Sequence, residues 1–131
     1  MKTLLLSIKP EYVERILLGT KKYEYRKRLA KDDIDTILIY STAPTMKVVA
    51  SVKVVGRISA SPTALWEKTK AQAGISREKY RTYFRGCQKA YAYELGDVSV
   101  FDEARDLIDY GIVVAPQSFV YVDSKSDKNP D

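Results

Sequence analysis

Apolar positions along the chain fall into two rhythms. Thr3–Lys9 (TLLLSIK) is a short, nearly unbroken apolar run, the pattern of a buried strand. Tyr12, Val13, Ile16 and Leu17 then recur at helical spacing, after Pro10, which suits a first helical turn, and before Gly19, which suits a left-handed helix end. Gly19–Arg28 (GTKKYEYRKR) alternates. As a strand it places Tyr23 and Tyr25 on one face with Lys21, and Glu24 and Arg26 on the other with Lys22 and Arg28. A polar turn (KDDID) leads into the apolar strand TILIYST, broken at Ala43–Pro44. The β-branched run Lys47–Ala60 follows, with a bend or bulge expected at Gly56.

Ser61–Pro62 reads as a helix start, and Leu65, Trp66, Thr69 and Ala73 share one face before Gly74 ends it. Ser76 caps a further helix that carries Tyr80, Tyr83 and Phe84 and stops near Gly86. Lys89–Phe101 alternates again, a short helical turn is expected within Asp102–Gly111, and Ala115–Val122 reads as the last strand. Residues 123–131 are polar and expected to be a disordered tail, which leaves 1–122 as one domain. The predicted order is β-α-β-β-β-α-α-β-β. Strands outnumber helices and are mostly consecutive. The expected class is therefore α+β, a small mixed β-barrel or curled sheet with helices packed at its edge.

Composition narrows the chemistry more than the fold. The 131 residues include no histidine and one cysteine, Cys87. Histidine-based acid–base catalysis, histidine triads and soft-metal cages are excluded, so no metal site and no cofactor are expected. Phosphate-loop and dinucleotide-binding glycine motifs are absent from the sequence. Any chemistry must run on lysine, carboxylate, hydroxyl or bound water. A lone cysteine fits a reducing cytoplasm, and no apolar run approaches the ~18 residues of a membrane span.

Charge then singles out one segment. Net charge is +5, and Gly19–Lys31 holds six basic residues against Glu24 alone, which leaves the remainder neutral in sum. A local positive field of this kind attracts phosphates or acidic ligands, although a solvated basic strand end has the same composition. A second interleaving of aromatics and cations, Tyr80, Tyr83 and Phe84 with Arg77, Lys79, Arg81 and Arg85, fits either an amphipathic helix or a second nucleic-acid surface.

Gly19, Lys21, Glu24 and Arg26 form a G-x-K-x-x-E-x-R pattern where a helix hands over to a strand. With LSIKPEY before it, IYSTAP after it and SPTALWEKTKAQAGIS further on, the chain resembles the ASCH domain, a branch of the PUA-like superfamily, over roughly residues 3 to 121. The resemblance implies a PUA-like barrel with a cleft beside the first helix. It implies a partner that is RNA or another single-stranded nucleic acid, or a modified nucleoside, met by a monomer or weak homodimer. The candidate binding residues are Lys9, Gly19, Lys21, Glu24, Arg26, Arg28, Tyr40, Ser41 and Thr42. Glu24 would accept from a base amine, Arg26 would orient it or hold a phosphate, Lys9 and Lys21 would charge the mouth, and Tyr40 would stack a base.

Catalysis is the alternative, with Lys21 and Glu24 as the candidate catalytic residues. Some relatives resemble amidohydrolases acting on N4-acetylcytidine and others resemble ribonucleases. In the amidohydrolases the position matching Glu24 resembles a threonine, and a further glutamate falls in the helix corresponding to Leu65–Ala73. Here Gln72 and Ala73 stand near that place and Glu67 lies a turn or more too early. A structural ion pair between Glu24 and Arg26 that binds nothing, and a protein-binding or small-ligand regulatory module, are the remaining alternatives.

Overall fold

The computed structural model describes residues 2–122; the expected tail at 123–131 lies outside the described residues. Six strands and three helices run in the order β1 (Lys2–Ile8), α1 (Pro10–Leu18), β2 (Tyr23–Arg26), β3 (Ile34–Ser41), β4 (Lys47–Ala60), α2 (Pro62–Thr69), α3 (Arg77–Tyr83), β5 (Ala90–Arg105) and β6 (Phe119–Val122), with 3-10 turns at Lys70–Gln72 and Leu107–Tyr110. This is the predicted order.

All six strands join one sheet, ordered β2-β5-β4-β3-β1-β6. β1 and β3 run parallel, and the other neighbours are antiparallel. β1 explains its own apolar run. Leu4 and Leu6 enter the core beneath α1 with Ile37 and Ile39, while Leu5 enters a second core on the other face with Leu38 and Tyr40. The β4–β5 register shifts twice between Val52 and Gly56, which places the expected irregularity at Gly56 and adds curl to the sheet. The curl brings β2 towards the end of β1. The sheet is barrel-like without being closed: the seam is bridged by a side chain, Arg26 Nη2 donating to the Ser7 carbonyl at 3.3 Å.

α1 buries Val13 and Ile16 on the sheet and half-buries Tyr12 and Leu17, as the spacing required. Gly19 closes it at φ 85°, its amide bonding back to the carbonyls of Arg15 and Ile16. Ser61 and Ser76 cap α2 and α3, each hydroxyl accepting from the backbone three residues on. These helices pack Leu65, Ala73, Tyr80 and Phe84 against Tyr25, Ala90 and Ala92 at the sheet's edge. Among the described residues no helix is long and apolar enough to cross a membrane.

Three local expectations need correction: α2 ends at Thr69 and gives way to a 3-10 turn before Gly74, the last strand occupies Phe119–Val122 and not Ala115–Val122, and the third concerns β2. The strand does not fill Gly19–Arg28; it occupies Tyr23–Arg26. The Lys21 amide bonds back to Arg15 at the end of α1, and the Lys22 amide bonds to Gln72. Both positions are thereby tied to helical segments before the sheet ladder begins.

Candidate functional site

The seam between β1 and β2 is where a site can form, because the sheet leaves it open. Three segments frame a cleft of about 530 Å³: the β1–α1 junction, Lys21 with β2, and α3 with its approach. That volume lies within the ~300–1,000 Å³ typical of small-ligand pockets.

Glu24 and Arg26 share one strand face two residues apart, and both reach the cleft. Arg26 donates from Nε to Glu24 Oε2 at 3.1 Å, and its Nη2 makes an ion-pair contact with the same oxygen at 2.9 Å. The other carboxylate oxygen, Oε1, accepts no hydrogen bond in the described structure. Among the described residues no buried side-chain oxygen or nitrogen lacks a partner, so Oε1 must be open to the cleft. Arg26 thus grips one oxygen and leaves its twin without a protein partner among the described residues. The side chains of the pair are only 10% and 14% exposed. Burying such a pair gains little stability by itself, because desolvation offsets the Coulomb attraction.

Lys21 occupies the floor, not the mouth as expected. It is 3% exposed, and its Nζ donates to the Ala73 carbonyl at 2.9 Å and lies over the rings of Tyr25 (4.8 Å) and Tyr12 (5.5 Å). Burial pushes its ammonium below the ordinary lysine range; the Glu24 carboxylate opposes that shift, and the Arg15 and Arg26 charges reinforce it. The mouth is instead charged by exposed Lys9 and by Lys79, which pairs with Glu11 at 3.5 Å. Tyr12 from α1 and Tyr83 from α3 add aromatic surface to the lining.

Tyr25 lines the cleft and also anchors it. Its hydroxyl hydrogen-bonds Thr69 Oγ1 at 2.6 Å, and its ring meets Tyr80 edge-on at 5.1 Å. The apolar support behind the strand therefore comes from α2 and α3.

Five expected site residues do not line this cleft. Gly19 is spent on ending α1 and no atom crowds it. Arg28 is exposed beyond the end of β2. Tyr40 belongs to the core on the opposite sheet face with Leu5 and Leu38, so strand alternation turns it away. Ser41 is buried in the β3 register opposite Ile8, and Thr42 meets that residue through its amide, which bonds the Ile8 carbonyl. Glu67, the displaced glutamate, is exposed and pairs with Lys70 at 2.8 Å outside the cleft. Lys9, Lys21, Glu24 and Arg26 are the four that the fold brings together. Sequence reasoning missed Thr82 and Glu78, and left Tyr83 between an amphipathic helix and a second surface without linking it to this cleft. Its one usable signal was the interleaving of aromatics and cations on α3.

Burial leaves a pH signature here. It pushes the Tyr25 phenol up to about 12 and raises Tyr80, Tyr83 and Tyr93 in the same direction. A phenol raised above its unfolded value keeps its proton in the folded state after the unfolded chain has lost it, so stability falls as pH climbs past about 10. Lys21 works in the opposite sense, since a lowered ammonium makes stability rise with pH until the unfolded value near 10.5 is passed. Four phenols against one ammonium predict a net loss. Urea midpoints should drop steeply between about pH 10 and about pH 12. A midpoint that stays level over that range would contradict the burial of these tyrosines.

Comparison with known proteins agrees with the fold. Residues 6–100 match the ASCH domain family model. An ASCH domain-containing ribonuclease from Zymomonas mobilis is 31% identical over 97 residues, which cover 73% of this chain and 66% of that protein. The large ribosomal subunit protein uL22 of Ureaplasma parvum is 25% identical over 122 residues, 92% of this chain and 39% of that protein. The chain thus spans about two thirds of the first relative and a smaller share of the second. A crystal structure of ASCH from Zymomonas mobilis superimposes with a TM-score of 0.88 at 26% identity, covering 97% of this chain and 92% of that one. On its family match and its fold, the chain belongs to the ASCH domain family.

Proposed function

We propose that this domain binds single-stranded RNA and seats one nucleotide, or a modified base, in the cleft over Lys21, Glu24 and Arg26. The observation that carries this is the one-sided ion pair: both Arg26 contacts fall on Glu24 Oε2, and the pair lines an open, cation-rimmed hollow. A fixed carboxylate oxygen accepts from an exocyclic amine such as that of cytosine. Lys9 and Lys79 lie where flanking phosphates would pass, and Tyr12 and Tyr83 offer ring surface to a splayed base. The ribonuclease relationship supports RNA as the polymer.

The test is fluorescence anisotropy with short single-stranded RNA at graded salt. Log affinity should fall with log salt, and Tyr83→Ala should cost ~1–3 kcal/mol, the usual value of one base–aromatic stack. A flat salt response together with an unaffected Tyr83→Ala variant would remove this reading.

Cleavage of the bound RNA is the second reading, favoured by the name of the 31% identical relative and by the buried, shifted Lys21 beside Glu24. Electrophoresis of end-labelled RNA should then show fragments that disappear with Glu24→Gln. Amide hydrolysis of an N4-acylated cytidine has less support. Lys21 is in the cleft, but the carboxylates around it are Glu11, Glu24 and Glu78, and none comes from α2.

A further inference from the structure

We infer that α3 carries a phosphate-binding track that continues the cleft, with Arg77, Arg81 and Arg85 engaging the backbone of nucleotides flanking the seated one. It rests on the cleft being the nucleotide site.

Arg77 and Arg81 stand four residues apart on α3, ~6 Å of helical rise, and Arg85 follows in the turn two residues past its end. All three are exposed, and none makes a side-chain hydrogen bond or ion pair among the described residues. Glu67, whose carboxylate feels Arg77, is already paired with Lys70. The helix cannot roll to hide the row, because Tyr80 and Phe84 hold its other face in the core at 2% and 3% exposure.

The row also has a place to receive a chain. Arg77, Arg81 and Arg85 line a second open hollow with Glu78 and Thr82, and those two residues line the cleft as well. The two hollows are therefore adjacent along one helix, with Thr82 and Glu78 as the shared wall. Residues 77–89 hold five basic side chains against Glu78 alone, within a remainder of the chain that is neutral in sum. Glu78 stands among these cations but forms an ion pair with none of the three arginines among the described residues; like charges set side by side add nothing to the fold, whereas a guanidinium fork matches a phosphate. A single strand fits better than a duplex, since the adjoining cleft takes an unpaired base.

The track is tested by binding of the full chain to a ten-nucleotide single-stranded oligocytidylate and to cytidine monophosphate. Three proteins are compared: wild type, the triple Arg77→Gln/Arg81→Gln/Arg85→Gln variant, and the corresponding triple lysine variant. The glutamine variant should bind the oligonucleotide at least about tenfold more weakly, with a log–log salt slope shallower by about 2, from ~0.7 per phosphate contact on a single strand. Its affinity for the mononucleotide should be unchanged, and the lysine variant should keep the wild-type slope. Wild-type affinity and slope in the glutamine variant would overturn the track. The cleft reading fails separately: if Arg26→Ala leaves mononucleotide binding intact while the glutamine triple weakens the oligonucleotide, the arginine row stands and the cleft does not.

Discussion

Arg26→Ala should lower the stability of the domain by about 2–4 kcal/mol and its affinity for single-stranded RNA by at least about tenfold. The guanidinium does two jobs at once. It supplies a hydrogen bond and an ion-pair contact to Glu24 Oε2 and a second hydrogen bond to the Ser7 carbonyl across the seam of the sheet. Truncation leaves a carboxylate that is 8% exposed as a residue without its counter-ion. A fully sealed pair costs ~3–5 kcal/mol to break; the lower range applies because Oε1 still meets water in the cleft. Adding Glu24→Gln to the alanine variant should recover part of the stability, since a neutral amide is cheaper to leave unpaired. RNA affinity should not recover with it, because the amide no longer offers a charged acceptor. Urea unfolding at unchanged m-value reads the first effect, and anisotropy reads the second. A stability loss below about 0.5 kcal/mol would mean the pair behaves as an exposed surface pair, and the buried-cleft account would be wrong.

Gly74→Ala should be equally damaging although it touches no ligand. Gly74 sits at φ +64°, and a Cβ there would stand 2.3 Å from Lys21 Cβ, 2.6 Å from its Cγ and 2.9 Å from its Cα. The last of these is backbone, so the floor of the cleft has to shift. The turn is also stitched to both neighbouring segments: Arg15 Nη1 donates to the Gly74 carbonyl at 2.9 Å, Lys21 Nζ to Ala73, and the Lys22 amide to Gln72. Left-handed strain of ~1–2 kcal/mol and overpacking of ~1–3 kcal/mol combine to about 2–5 kcal/mol. Gly19→Ala is the internal control. Its φ is +85° with nothing within 4 Å, so it should pay the strain alone, ~1–2 kcal/mol. The difference between the two variants isolates the contact with Lys21, and equal losses would contradict it. RNA affinity should fall for Gly74→Ala and hold for Gly19→Ala.

What could be read from the sequence was what depends on near neighbours. The alternation of β4, the helical spacing of α1, the serine caps of α2 and α3 and the Gly19 stop each encode their own element, and the nine-element order followed from them. The Glu24–Arg26 pair was legible for the same reason, since two positions on one strand face are always within reach. The shape of the cleft was not legible. Tyr83 and Thr82 lie almost sixty residues beyond β2, and only the docking of α3 on Tyr25 brings them to the mouth. Burial of Lys21 depends on the Gly74 turn folding over it, a contact across fifty-two residues. Tyr40 shows the limit of alternation: period two says that Tyr40 and Ile39 face opposite ways, but which side carries α1 is decided by packing.

The most direct test is to titrate the isotopically labelled protein with a short single-stranded RNA and follow its backbone amide resonances by NMR. The largest shifts should fall at the amides of Lys9, Tyr12, Lys21, Glu24, Tyr25, Arg26, Thr82 and Tyr83, the residues that frame the one-sided ion pair. Shifts gathered instead around Tyr40 and Tyr110, on the opposite face of the sheet, would contradict the account.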